Sequence, residues 1–323
     1  MKQFVLNLII CIMLGTTMSL FAAERPVNIA HRGASGYLPE HTLPAKALAY
    51  GMGADFIEQD IVLTKDDMPI IVHDIHLDTV TDVASCFPDR ARKDGRFYAI
   101  DFTFAEIKTL RVTERCVLET KEAVFPKRFP IWKSEFRISS LQEEIELIQG
   151  LNKSTGRNVG IYPEIKEPEW HRQEGKDISV IVLKILGDYG YKTAKDKVYL
   201  QCFDLGELRR IRHELKCELK LIQLLEEDFN LNEVAEYSDG IGPSISQIIT
   251  GIDENKKPVV SDLVSRAHSL HLEVHPYTFR ADSLPEGLRG KALLYILFKQ
   301  VGIDGIFSDF PDVSGECIKE MKN

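Results

Sequence analysis

An alternation running the length of the chain constrains its fold most. Eight short apolar runs, at 27–30, 56–63, 159–164, 198–202, 219–225, 240–243, 272–277 and 305–308, are separated by stretches of helical pattern. Helices are expected at 45–50, 205–215, 231–237, 258–270, 288–301 and 313–321. The first is capped by Thr42, tolerates Pro44 and is closed by Gly51. Ser140-Leu141-Gln142-Glu143 is a capping box that opens a helix to 151, and a further helix is expected over 177–189. Run 69–72 follows a turn at Lys65-Asp66-Asp67 and reads as a hairpin return on the second strand. The pattern breaks from about 77 to 137, where charges are dense and only 104–110 reads as helix. A stretch of that length is an insertion with its own structure. The order is that of a TIM (β/α)8 barrel with an inserted segment after the hairpin that follows strand 2, with a doubly wound open sheet as the alternative.

Apolar residues make up 44% of the 323 positions and charged residues 28%, as in globular proteins. A net charge of −9 argues against nucleic acid as a general partner. The N-terminus stands apart. Lys2, an apolar stretch over 4–14 and small residues up to Ala23 form a secretory signal pattern, with cleavage after Ser19 or Ala23. An uncleaved anchor is the alternative, and Cys11 matches a lipoprotein signal only weakly. Residues 24–323 are then one exported domain, periplasmic or otherwise outside the cytoplasm, with no membrane span after cleavage. Export allows disulfides. Cys86 and Cys116 lie in one irregular region, and Cys202 and Cys217 flank one expected helix. Each pair is a candidate bond, against the alternative of free thiols.

A barrel places its chemistry at the C-terminal ends of its strands. The first run ends in His31-Arg32-Gly33: a proton carrier, a phosphate-binding fork and a residue that permits a tight turn. Glu58 and Asp60 are two apart on one strand, so they share a face, as do Glu164 and Lys166. Three carboxylates without paired Cys or His favour a hard divalent cation, Ca²⁺ first and Mg²⁺ second; a salt-bridge cluster with Arg32 and Lys166 is the alternative. Arg32 and Lys166 suit a phosphate. His31 and His73 supply the base and the acid that phosphodiester hydrolysis needs. Gln201 ends the fourth run and is assigned to the substrate pocket. Tyr277 and Phe279 are set on the organic side of the substrate, against the alternative of ordinary rim packing. His275 is ambiguous. His41, His76, His171, His213, His268 and His271 are read as structural or surface residues.

Together these motifs resemble the bacterial periplasmic glycerophosphodiester phosphodiesterases. The residues that carry the resemblance are His31-Arg32-Gly33, Pro39-Glu40-His41-Thr42, Glu58-Gln59-Asp60, His73-Asp74, Tyr162-Pro163-Glu164-Ile165-Lys166, Gln201-Cys202-Phe203-Asp204, His275-Pro276-Tyr277 and Ser308-Asp309-Phe310-Pro311. They run in order through nearly the whole chain. The resemblance implies a TIM barrel with an insertion after the His73 strand and a divalent metal, usually Ca²⁺ in this branch, on Glu58, Asp60 and Glu164. It also implies His31 and His73 as the acid/base pair, and phosphate contacts at Arg32 and Lys166. Many relatives have Asn where this chain has His41. The implied activity releases sn-glycerol 3-phosphate and an alcohol from a small-molecule glycerophosphodiester. Two other readings stay open: a phospholipase D-like or phosphoinositide-specific phosphodiesterase on the same barrel, and a surface-exposed host-binding protein. Oligomeric state is unread, and a homodimer stays open.

Overall fold

Successive residues of a strand face opposite sides, so each barrel strand must satisfy the lumen with one set and the surrounding helices with the other. A computed structural model describes residues 25–226, 229–255, 257–284 and 289–321, so the signal pattern expected over 1–23 lies outside the described residues. Eight parallel strands are present: β1 (Val27–Ala30), β2 (Phe56–Leu63), β3 (Gly160–Ile165), β4 (Tyr199–Cys202), β5 (Lys220–Leu224), β6 (Gly240–Gly242), β7 (Glu273–Val274) and β8 (Gly305–Ser308). They are hydrogen-bonded in the order β7-β6-β5-β4-β3-β2-β1-β8. The sheet curls back on itself where the chain beyond β7 runs beside β8. Asp304 N–H donates to the Val274 carbonyl (3.0 Å), Phe307 to Pro276 (3.0 Å) and Phe279 to Phe307 (2.8 Å). The architecture is thus the nearly closed (β/α)8 barrel, not the open sheet.

The lumen is plugged below its mouth by Ile29, Phe56, Tyr162, Tyr199, Ile222 and Phe307. Tyr162 stacks on Tyr199 at 5.0 Å and meets Phe307 edge-on at 4.9 Å. Glycine makes room for this plug: a Cβ on Gly160 would collide with the Phe56 ring, and one on Gly305 would sit 2.7 Å from the His275 ring. His275 belongs to the plug, with Nδ1 3.0 Å from the Tyr162 hydroxyl, and so lies below the mouth instead of on the rim. The opposite strand faces carry Ile57, Ile61, Ile161, Leu200, Leu221 and Ile306 into the layer beneath the helices.

Several expectations need correction. Residues 258–270 are not one helix. Pro258–Val260 is a strand paired antiparallel with Ile249–Ile252, and the helix is Leu263–Ser269. Two β-branched valines after a proline favour extended backbone. Gly51 lies inside the helix Leu43–Gly51, and the left-handed turn falls at Gly53 (φ 89°). The run 288–301 divides into a helix, Gly290–Tyr295, and a π-helical turn, Ile296–Val301; residue 288 lies outside the described residues. A helix at Pro168–Gln173 was not expected. All five cysteines among the described residues are free, so neither candidate disulfide forms. Cys116 is buried with its Sγ 3.3 Å from the Thr79 carbonyl while Cys86 is exposed; Cys202 Sγ instead points at the Ile165 carbonyl. No helix among the described residues is long and apolar enough to cross a membrane.

The hairpin strand Pro69–Ile71 returns antiparallel on β2 as expected. The insertion that follows has short helical turns, among them Phe104–Ile107, around a second core in which Phe102, Phe97, Leu110 and Phe136 pack with Val62 and Ile70. Within it Glu114 is buried, one carboxylate oxygen lacks a hydrogen-bond partner, and burial and the nearby Glu40 charge push its pKa up to about 8. A carboxyl whose folded pKa lies above its unfolded value stays protonated in the native state after the unfolded chain has ionised. Stability is therefore lost as pH rises from about 4.5 to about 8. A Glu114→Gln variant is expected to melt at least about 2 °C above the parent at pH 8, the gap closing toward pH 5. Thermal melts across that range check it.

Candidate active site

The mouth of the barrel collects the lumen-facing residues above the aromatic plug. Glu58 and Asp60 stand two and four residues above Phe56 on β2, and Glu164 stands two above Tyr162 on β3. Their carboxylate oxygens lie within 4.8 Å of one another, and all three residues are buried. Burial and mutual repulsion raise Glu58 well above the carboxylate range and Glu164 to about 8. Burial works against the Asp60 charge too, but Lys166 and His41 outweigh it and hold Asp60 well below that range.

Protein donors reach all three carboxylates. Gln201 Nε2 donates to Glu58 Oε1 (3.0 Å), and the Arg32 backbone N–H donates to Glu58 Oε2 (2.8 Å). Lys166 Nζ donates to Glu164 Oε1 (2.6 Å). His41 Nε2 lies 2.7 Å from Asp60 Oδ2, while its Nδ1 faces the Lys46 ammonium at 3.2 Å. An ammonium only donates, so Nδ1 accepts and Nε2–H donates to Asp60. Asp60 Oδ1 and Gln201 Oε1 remain without a hydrogen-bond partner among the described residues. Unclaimed buried oxygens beside three clustered carboxylates are the donor set of a hard divalent cation, and these residues fit one.

The two histidines sit on the same pocket of about 190 Å³, with Arg32 and Lys166. His31 Nδ1 is 2.5 Å from Asp309 Oδ1, just beyond β8, and its Nε2 is 3.8 Å from Glu58. Burial and the Arg32 charge drop its pKa to about 4, against the pull of Asp309. His73 Nδ1 is 2.5 Å from Asp74 Oδ1, and its Nε2 is 3.5 Å from Lys166 Nζ. Burial lowers His73 as well. Arg32 reaches this position through a left-handed backbone (φ 57°), followed by Gly33 (φ 88°), where a Cβ would press to 2.9 Å on the backbone of Ala45. Its guanidinium lies between Glu40 (3.0 Å) and Asp60 (3.5 Å).

Of the residues expected at the site, His31, His73, Arg32, Lys166, Glu58, Asp60, Glu164, Gln201 and Tyr277 all line this pocket. Phe279 does not. It is fully buried, held beside β8 by the Phe307 and Asp309 backbone, with its ring toward Gly290 in the outer layer. Thr278, Arg280 and Phe203 face the pocket in its neighbourhood. His41, read as structural or surface, is buried against Asp60. The braces Asp74 and Asp309 belong to the motifs that carry the resemblance, whereas nothing local marks Lys46, whose ammonium meets His41 only through the turn of the first helix.

A phosphate bound between Arg32 and Lys166 would face both histidines and the triad, which is the chemistry of a phosphodiester hydrolase. Comparison with known proteins narrows the class. Residues 31–313 match the glycerophosphoryl diester phosphodiesterase family. A glycerophosphodiester phosphodiesterase of Haemophilus influenzae is 47% identical over 92% of this chain and 90% of its own length. One from Treponema pallidum is 40% identical over 90% and 91%. The fold matches that of an Oleispira antarctica phosphodiesterase solved with the product sn-glycerol-3-phosphate (TM-score 0.64, 20% identity, 91% of this chain and 97% of that one). The chain belongs to the glycerophosphoryl diester phosphodiesterase family; it is an enzyme that hydrolyses glycerophosphodiesters.

His41 gives this geometry a direct check. Replacing it by Leu removes the Asp60 donor and should weaken binding of a divalent cation about 10-fold to 10²-fold by calorimetry, whereas His41→Asn, which keeps an N–H donor, should lose far less.

Proposed function

We propose that His31 and His73 are the acid/base pair of this hydrolysis, and that the products are sn-glycerol 3-phosphate and a free alcohol. The carrying observation is that both rings give Nδ1 to a carboxylate and line one pocket with Arg32 and Lys166. A ring that donates Nδ1–H to Asp309 or Asp74 keeps Nε2 for chemistry. One histidine takes the proton of the attacking hydroxyl, and the other returns a proton to the departing alkoxide. Arg32 and Lys166 bind the phosphate oxygens and orient the phosphorus. Gln201 holds Glu58 in place, and Tyr277, fixed by its hydroxyl on the Leu225 carbonyl (3.1 Å), walls the organic side. A divalent cation held by Glu58, Asp60 and Glu164, Ca²⁺ by preference, supplies charge neutralisation to the phosphate when bound. The signal pattern over 1–23 supports an exported, periplasmic enzyme.

The test is release of glycerol 3-phosphate from glycerophosphocholine and glycerophosphoethanolamine. His31→Ala and His73→Ala should each lower kcat by at least about 10². Near-normal turnover in a folded variant removes that histidine from the pair.

A further inference from the structure

The inserted segment reaches under both histidines. Asp74 gives Oδ1 to His73 Nδ1, and its Oδ2 accepts from Arg115 Nη1 at 2.6 Å. Asp309 gives Oδ1 to His31 Nδ1, and its Oδ2 accepts from Arg128 Nη2 at 2.7 Å. The two carboxylates come from distant parts of the chain, but both arginines come from the insertion. The same order, histidine, carboxylate, arginine, is built twice.

Neither arginine lines the pocket, and Arg128 is almost fully buried, with 4% of its side chain exposed. Each spans two carboxylates with separate N–H groups of its planar fork. Arg115 joins Asp74 to Glu40 (2.7 Å), which in turn holds Arg32. Arg128 joins Asp309 to Asp282 (2.9 Å) and stacks 3.7 Å over the Phe125 ring. A carboxylate held by one oxygen can swing; held by both, it has one direction, and so has the ring it accepts from. Arg280 also reaches Asp309, at 3.1 Å, but its side chain is 34% exposed and, unlike Arg128, lines the pocket.

We infer that the insertion is a positioning element: Arg115 sets the ring of His73 and Arg128 sets the ring of His31. The inference rests on the two-histidine reading above. A purely structural role for the two ion pairs is the competing account, since buried pairs are weak evidence of anything more.

The experiment measures kcat and KM for glycerophosphocholine, and the ring N–H proton resonances, in Arg115→Met and Arg128→Met. The parent should show far-downfield Nδ1–H signals for His31 and His73, assigned by their loss in His31→Ala and His73→Ala. Arg128→Met should displace the His31 signal and lower kcat about 10-fold to 10²-fold with KM little changed. Arg115→Met should displace the His73 signal, lower kcat similarly and also raise KM, because Glu40 and Arg32 lose their brace. Arg115→Lys should recover kcat more than KM, since one ammonium can still reach Asp74 alone. Cooperative melts that keep parental kcat and parental ring signals overturn the inference. If the Met variants do not fold, Arg128→Lys decides it. A displaced His31 signal with a several-fold lower kcat supports the inference, and parental values overturn it. Parental turnover in the Arg variants with losses in the His variants discards the positioning role alone, whereas full turnover in the His variants discards the two-histidine reading.

Discussion

Three carboxylates buried at one end of a barrel repel one another, and much of the surrounding structure answers that repulsion. Taking even one carboxylate out of water is costly, and clustering three multiplies the cost. The chain brings Lys166 onto Glu164, Arg32 toward Asp60 and the buried Lys46 beneath them, where it donates to the Glu58 carbonyl and pairs with Glu144 at 3.1 Å. Neutral donors from Gln201 and His41 take further oxygens. These partners leave Asp60 Oδ1 unclaimed. The cluster thus keeps a buried oxygen that its ion pairs do not claim among the described residues, which is what a site for a divalent cation needs.

The barrel makes such a cluster affordable through strand parity. The face that holds Phe56, Tyr162 and Tyr199 in the plug also holds Glu58, Asp60, Glu164 and Gln201 above it. A stiff aromatic floor excludes water from below and fixes the strands that carry the charges. The mouth is then finished by chain from outside the barrel strands: the turn after β1, the hairpin return ending at His73, and the insertion.

What the sequence makes legible follows from that division. Strand-borne site residues are readable because period-two spacing decides their face, as with Glu58 and Asp60 or Glu164 and Lys166. His31 and His73 are readable because each ends an apolar run. Contacts between remote segments are not readable. Asp309 meets His31 only when the barrel closes, and Arg128 meets Asp309 only when the insertion folds back over it. Phe279 misleads because an aromatic just beyond a strand end reads as a rim residue, while backbone pairing with β8 turns its ring into the outer layer. Pro258 misleads because helical spacing of apolar residues beyond it hides a hairpin strand. His41 reads as an ordinary histidine until burial brings Asp60 and Lys46 to its two nitrogens.

The central claim is that the Glu58, Asp60 and Glu164 oxygens hold a divalent cation on which hydrolysis depends. The most direct measurement is glycerol 3-phosphate release by enzyme stripped with chelator and then titrated with Ca²⁺. The account predicts that turnover is abolished by stripping and returns saturably as one ion per chain binds, the binding being followed by calorimetry. Full turnover by thoroughly stripped enzyme would contradict it.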